Sequence, residues 1–242
     1  DVDMARRQVG YGSGGRMHIE KDRVRITSGL MNGETTGGPI AMILENRDFK
    51  NWKEKDITPI TTPRPGHADL TGAVKYGYRE LRLSLERASA RETAMRVAVG
   101  GVCKTFLAQF GIEILGYVTQ IGDVKANIPE NADYHDLYAI AESNDVRSPD
   151  PQAAEAMHEA IHTVKVNKDT LGGVFEIIAL NVPPGLGSHV HYDRRLDAQL
   201  VGIMTGIQAM KGAEIGHAFD LAGKPGSQVH DEIEPDGNGG IR

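Results

Sequence analysis

The sequence predicts a mixed fold of helices and strands, on three observations. The stretch Leu85–Phe106 holds a long helix rich in small residues that opens after Ser89. Met17–Thr27 alternates Ile19, Val24 and Ile26 with Glu20, Arg23 and Arg25, the period of a strand. A helix also runs directly into a strand at Arg91–Val124 and again at Leu196–Phe219, a faint internal echo.

Met4–Gln8 reads as a helix end whose last turn carries Arg6 and Arg7. Gly10, Gly12 and Gly15 then match a G-x-G-x-x-G spacing. A dinucleotide loop needs a strand before it and a helix after it, and here a charged helical end precedes it, so a Rossmann site is disfavoured. Lys21-Asp22 reads as a hairpin turn within the alternating stretch, and Ile40–Glu45 as a further strand after Gly37-Gly38-Pro39. Asn46–Thr62 is polar and irregular.

In Pro63-Arg64-Pro65-Gly66-His67-Ala68-Asp69 two prolines stiffen the backbone around Arg64, and Gly66 frees it beside His67. A rigid turn presenting Arg64, His67 and Asp69 suits a site; an ordinary helix lead-in suits the same residues. Ala73–Leu85 follows as a helix. In the next helix, Ser89 with Glu92 has capping-box spacing. Free N–H groups at such a start favour an anion, and Arg87 and Arg91 flank the cap, where both can converge on one point. The spacing by itself favours an ordinary capped core helix with two solvated arginines, because short capping motifs are common. Met95, Val99, Val102, Phe106 and Phe110 are expected to form its buried stripe.

Ile112–Val124 reads as a strand and Asn127–Asp150 as a polar surface excursion. Pro151–Lys165 is a helix, Thr170–Val182 a strand, Pro183–Ser188 a turn, Leu196–Met210 a second small-residue helix and Ala213–Phe219 a strand. His158-Glu159-Ala160-Ile161-His162 is a literal H-E-x-x-H that could bind zinc with Glu159 as base. Polar flanks and the lack of a distinctive third ligand favour a solvated helix face, so no metal is expected.

The 242 residues suffice for one large domain or two ordinary ones. No apolar run is long enough to span a bilayer. A single cysteine, Cys103, excludes an intrachain disulfide framework and fits a reducing cytoplasm. The net charge of −6 argues against a general nucleic-acid binder. Five arginines nevertheless fall between Arg79 and Arg96, which points to a small anionic ligand.

Four stretches carry a resemblance: RPGHAD (64–69) with KYGYR after it, ERASARETAMRVAVG (86–100), PPGLGSHVHYDRRLDA (183–198) and QAMKGAEIG (208–216). In this order and spacing, with RRQVGYGSGGRM and NGETTGGPI near the start, the whole chain resembles bacterial-type chorismate synthase. The resemblance implies an α+β fold, a β-α-β sandwich with helices between antiparallel sheets, as one domain over residues 1–242 and usually a homotetramer. It implies a lyase of aromatic amino-acid biosynthesis that converts 5-enolpyruvylshikimate 3-phosphate to chorismate and phosphate. Reduced FMN is the implied cofactor, and NADPH is a candidate reductant in some members.

By the same resemblance His67 is the catalytic histidine. Arg87, Ala88, Ser89, Gln208, Ala209 and Arg7 contact the flavin, and Arg16, Arg64 and Arg91 face the substrate. Guanidinium groups suit both ligands, because each oxyanion can be gripped by two parallel hydrogen bonds. The sequence departs from the family in three ways. Ser13 stands where the family has Arg in GYGSGG. The segment Trp52–Thr62 is short. The family's N-terminal G-E-S-H-G segment, with its second histidine, and the part after Arg242 have no counterpart in these residues, so the chain is expected to be incomplete at both ends. An inactive homologue that keeps only an oligomeric anion-binding scaffold is the alternative.

Overall fold

Residues 1–13, 17, 21–235 and 237 are described by the computed structural model. The fold is α+β, and every strand pair among the described residues is antiparallel. The chain divides into two compact units, Asp1–Pro183 and Pro184–Arg242. No helix among the described residues is long and apolar enough to cross a membrane.

The first unit begins with helix α1 (Val2–Gln8). Strand β1 (Val24–Ser28) pairs with β4 (Ala41–Leu44), interrupted by a bulge between Ile26 and Ser28. The short pair β2 (Leu30–Met31) and β3 (Glu34–Thr35) lies between them in sequence. This corrects the hairpin read at Lys21-Asp22. Asp22 is buried rather than in a turn, because two arginines neutralise it.

Helices α2 (Asp69–Tyr76) and α3 (Arg82–Arg87) replace the single helix read over Ala73–Leu85. Gly77 ends α2 at φ 69, a left-handed cap that glycine takes without steric cost. Helix α4 (Thr93–Ala108) follows a short 3₁₀ turn, Ala90–Glu92. Its buried side is Ala94 and Ala98, which receive Met4 of α1, with Val24, Met42 and Leu44 around them. Alanine lets the two helices approach closely, and Lys104 adds an ion pair to Asp3 at 3.0 Å. The stripe expected to be buried is therefore wrong in part. Val99, Phe106 and Phe110 are 47, 62 and 65% exposed, since the helix turns its small residues inward.

A three-stranded sheet centres on β5 (Glu113–Ile121), flanked by β6 (Val124–Lys125) and β7 (Gly173–Leu180). Successive residues of a strand face opposite sides. Tyr117 accordingly packs with Leu137 and Ala141 of α5 (Tyr134–Glu142), whereas Val118 packs with Met157 of α6 (Pro151–Val166). Asn127–Asp150 is thus no surface excursion. Asp133 caps α5 by accepting from the amides of His135 and Asp136, and Val146 and Ser148 are buried. Asp150 caps α6 in the same way, ahead of Pro151 at its first turn.

The second unit holds α7 (Leu196–Thr205) and the short α8 (Ala218–Leu221). The strand read over Ala213–Phe219 does not form, and the helix read to Met210 stops at Thr205.

Candidate functional site

The turn before α2 closes on itself. Arg64 donates from Nε to Asp69 Oδ2 at 2.8 Å and from Nη2 to Oδ1 at 2.9 Å, and its backbone amide donates to Oδ2 at 3.0 Å. Asp69 has no exposed surface. The Arg64 side chain and amide hold its carboxyl down to about 2, against the upward push of burial. The Asp69 carboxylate occupies one edge of the guanidinium, and the Arg64 side chain remains 43% exposed.

His67 sits at the outer corner of this clamp, exposed, with Nδ1 2.8 Å from the carbonyl oxygen of Pro65. A carbonyl can only accept, so this contact places the proton of the neutral ring on Nδ1. Nε2 is then the nitrogen with the lone pair, in position to take or return a proton. Gly66, at φ 69, permits the bend that brings the ring back over Pro65.

Ser89 caps as expected but shifted in register. Its Oγ accepts from the Arg91 amide at 3.2 Å and caps the 3₁₀ turn, while α4 itself starts at Thr93. Arg87 and Arg91 do not converge. Arg91 turns inward and forks onto Asp22, Nη1 to Oδ2 at 2.5 Å and Nη2 to Oδ1 at 2.7 Å. Arg7 approaches the same carboxylate at 3.6 Å and donates to Thr93 Oγ1 at 3.1 Å. Burial pushes the Asp22 carboxyl up, but the Arg91 fork and the Arg7 charge outweigh it and hold its pKa below the ordinary value. The Arg87 side chain stays 83% exposed, with Glu92 Oε1 at 3.8 Å. Ala88 lies between Arg87 and Ser89 as the C-cap of α3.

Three of the expected site residues thus share a neighbourhood built from distant sequence: Arg7 and Arg91 meet through Asp22, and Ser89 fixes the Arg91 backbone. Arg16 lies outside the described residues. Asp22, which joins these arginines, carries no mark in the sequence, since its partner Arg91 is 69 positions away and no local pattern marks the pair.

In the second unit Ala209 has φ 70, a left-handed conformation uncommon for a residue with a Cβ. Such strain persists where the surroundings enforce it, and it sets Ala209, beside Gln208, apart from ordinary loop. The turn after Pro184 folds over the start of α7. Ser188 donates its amide to Arg194 at 2.9 Å, and a Cβ on Gly187 would stand 2.9 Å from the Leu196 nitrogen. A cavity of about 650 Å³ opens there, with Ser188, His189 and Arg195 on its wall.

The H-E-x-x-H segment lies on α6, where His158 Nε2 is bonded to Asp145 Oδ1 and His162 is exposed. No group of three or more His, Cys, Asp or Glu among the described residues is arranged to hold a metal ion.

The Chorismate synthase family model matches residues 1–242. A chorismate synthase of Symbiobacterium thermophilum is 52% identical over 96% of this chain, and one of Aquifex aeolicus is 51% identical over the same share. The chain spans 63% and 62% of the lengths of these two relatives. A solved structure described as chorismate synthase superposes with a TM-score of 0.82 at 42% identity, covering all of this chain and 66% of that one.

Proposed function

Given that this chain belongs to the chorismate synthase family, we propose that its protein is a lyase forming chorismate and phosphate from 5-enolpyruvylshikimate 3-phosphate with reduced FMN. The observation that carries this reading is the exposed His67, with its Nδ1 on the Pro65 carbonyl and its Nε2 left to carry the lone pair, beside a locked Arg64. The elimination breaks a C–O bond to phosphate and a C–H bond, so the site needs a proton acceptor and fixed cations.

The donor set fits a phosphorylated flavin. Arg87 offers an exposed guanidinium, and the Ser89 hydroxyl, whose oxygen accepts from the Arg91 amide, still has its proton to donate. Ala88, Gln208, Ala209 and Arg7 complete the proposed flavin contacts. Reduced FMN, when bound, supplies an electron transiently and recovers it, leaving the reaction redox-neutral. Arg64, Arg91 and Arg16 are assigned to the substrate's oxyanions. Arg64 would offer the guanidinium edge that Asp69 does not occupy. Arg91 would have to yield part of its fork on Asp22, so its larger contribution is to hold Arg7 and the cap in place. His67 takes or returns the proton at Nε2.

One family model runs through both units, which supports reading them as parts of one domain. A homotetramer, a cytoplasmic place in the shikimate pathway and NADPH as reductant belong to the same reading. Ser13, standing where the family has Arg, favours a second one: an impaired homologue that keeps only flavin and anion binding.

Anaerobic mixing of the full-length protein with reduced FMN and 5-enolpyruvylshikimate 3-phosphate tests both. Chorismate and phosphate should appear in equal amounts. Arg87→Ala and His67→Ala should each lower kcat/KM by about a hundredfold. Tight flavin binding without product would leave the second reading, and wild-type turnover in both variants would sink the site assignment.

A further inference from the structure

His158 has no role in the reading above, yet it is tied to the glycine loop that follows α1. Its ring stacks on Tyr11 with centroids 3.9 Å apart and planes tilted by 39°. Its Nε2 is bonded to Asp145 Oδ1, and the Asp145 carbonyl accepts the Tyr11 amide at 3.1 Å. One short segment therefore grips Tyr11 twice, through its backbone and through the ring that Asp145 orients. Gly12 sits against the same helix, where a Cβ at its φ of 78 would meet Ile161 Cγ2 at 2.9 Å. Just upstream, Arg147 Nη2 donates to the carbonyls of Arg6 at 2.8 Å and Val9 at 3.5 Å. Arg147 itself is held at φ 56, and Glu142 joins it to Arg6. The stretch Arg6–Gly12 is thus fastened along its length to residues 142–161.

We infer that His158, oriented by Asp145, is a positioning residue that fixes the Gly10–Ser13 loop and, through it, the end of α1 that carries Arg7. This rests on the proposed function, because the loop follows Arg7, which that reading assigns to the flavin. The first histidine of the H-E-x-x-H match is then more than part of an idle helix face. His158 acts through Tyr11 and touches no reactant. A loop that wanders must be ordered at each binding event, which weakens binding without slowing the chemical step.

The test uses the full-length protein with His158→Ala, which loses both the stack and the Asp145 bond, and His158→Phe, which keeps the stack. Hydrogen exchange of the Tyr11 amide should quicken about three- to tenfold in His158→Ala, the range that one aromatic contact supports, and recover in part in His158→Phe. The Kd for reduced FMN should rise by a similar factor in His158→Ala, with kcat at saturating flavin within about twofold. Asp145→Ala, which keeps the backbone carbonyl, should move the same readouts in the same direction and stands in if His158→Ala fails to fold. Unchanged Tyr11 exchange would overturn the inference, as would faster exchange with an unchanged Kd for reduced FMN. If the wild-type protein forms no chorismate, the proposed function fails, and the Tyr11 exchange and FMN titration still judge the clamp.

Discussion

Arg64 meets Asp69 with its side chain and with its own amide, so the carboxylate is the keystone of the turn that displays His67. Its pKa of about 2 lies below the ordinary 3.8. A depressed carboxylate stabilises the fold fully above the unfolded value and ceases to do so as pH falls through the folded one. The clamp should therefore hold at pH 4 and open as pH approaches 2. Carbon-detected NMR of the Asp69 carboxyl should titrate near 2, and a midpoint near 4 would show that the pairing is absent in solution. Asp22 makes a parallel case with more at stake, because its carboxylate is buried under Arg7 and Arg91. Asp22→Ala would leave two shielded cations facing each other. A loss on the order of 3 kcal/mol is expected by urea unfolding. Flavin affinity should fall with it if Arg7 serves the cofactor. The Arg64 turn was readable, since its parts lie within six residues. The Asp22 cluster was not, since charge neutralisation across 69 positions leaves no periodic trace.

Helix boundaries follow the same division between local and distant causes. The helix over Pro151–Val166 is announced by an Asp cap and a proline in its first turn, and the sequence reading of it ended within one residue. Helix α5 escaped because most of its exposed residues are polar, among them Tyr134, His135 and Asp136, and its buried residues are just Leu137 and Ala141, one turn apart. The split between α2 and α3 falls at the Gly77 cap, and the two helices then meet in a contact that neither sequence segment shows alone. A Cβ on Gly72 would lie 2.2 Å from Ser84 Oγ and 2.9 Å from Ser84 Cβ, so the two helices touch where glycine removes a side chain. Gly72→Ala is expected to destabilise the protein by about 1–3 kcal/mol, as overpacking does. Adding Ser84→Gly removes the clashing atoms. A double-mutant cycle in thermal unfolding should therefore recover much of the loss, and strict additivity would mean that the helices are not in contact there.

For the molecule as a whole, the instructive error is the apolar stripe of α4. Its period was sound, but α1 packs on Ala94 and Ala98, and Phe106 and Phe110 meet each other edge to face, 5.1 Å apart, while staying largely exposed. Hydrophobic period identifies a helix; it does not say which of its faces a neighbour will cover, and close packing here selected the smaller side chains. Two adjacent exposed phenylalanines are an uncommon surface for a stable protein, and contiguous apolar patches mark places where something else packs. The rings are expected to be covered in the full-length protein. Replacing Phe106 and Phe110 together by Ser would then cost about 3–6 kcal/mol, near the value of burying two such side chains. Substitution of rings as exposed as these would otherwise change stability by about 0.5 kcal/mol. Equilibrium urea unfolding of the double variant separates the two outcomes, and a shift below about 1 kcal/mol would show that solvent, and no further protein surface, lies over this side of the helix.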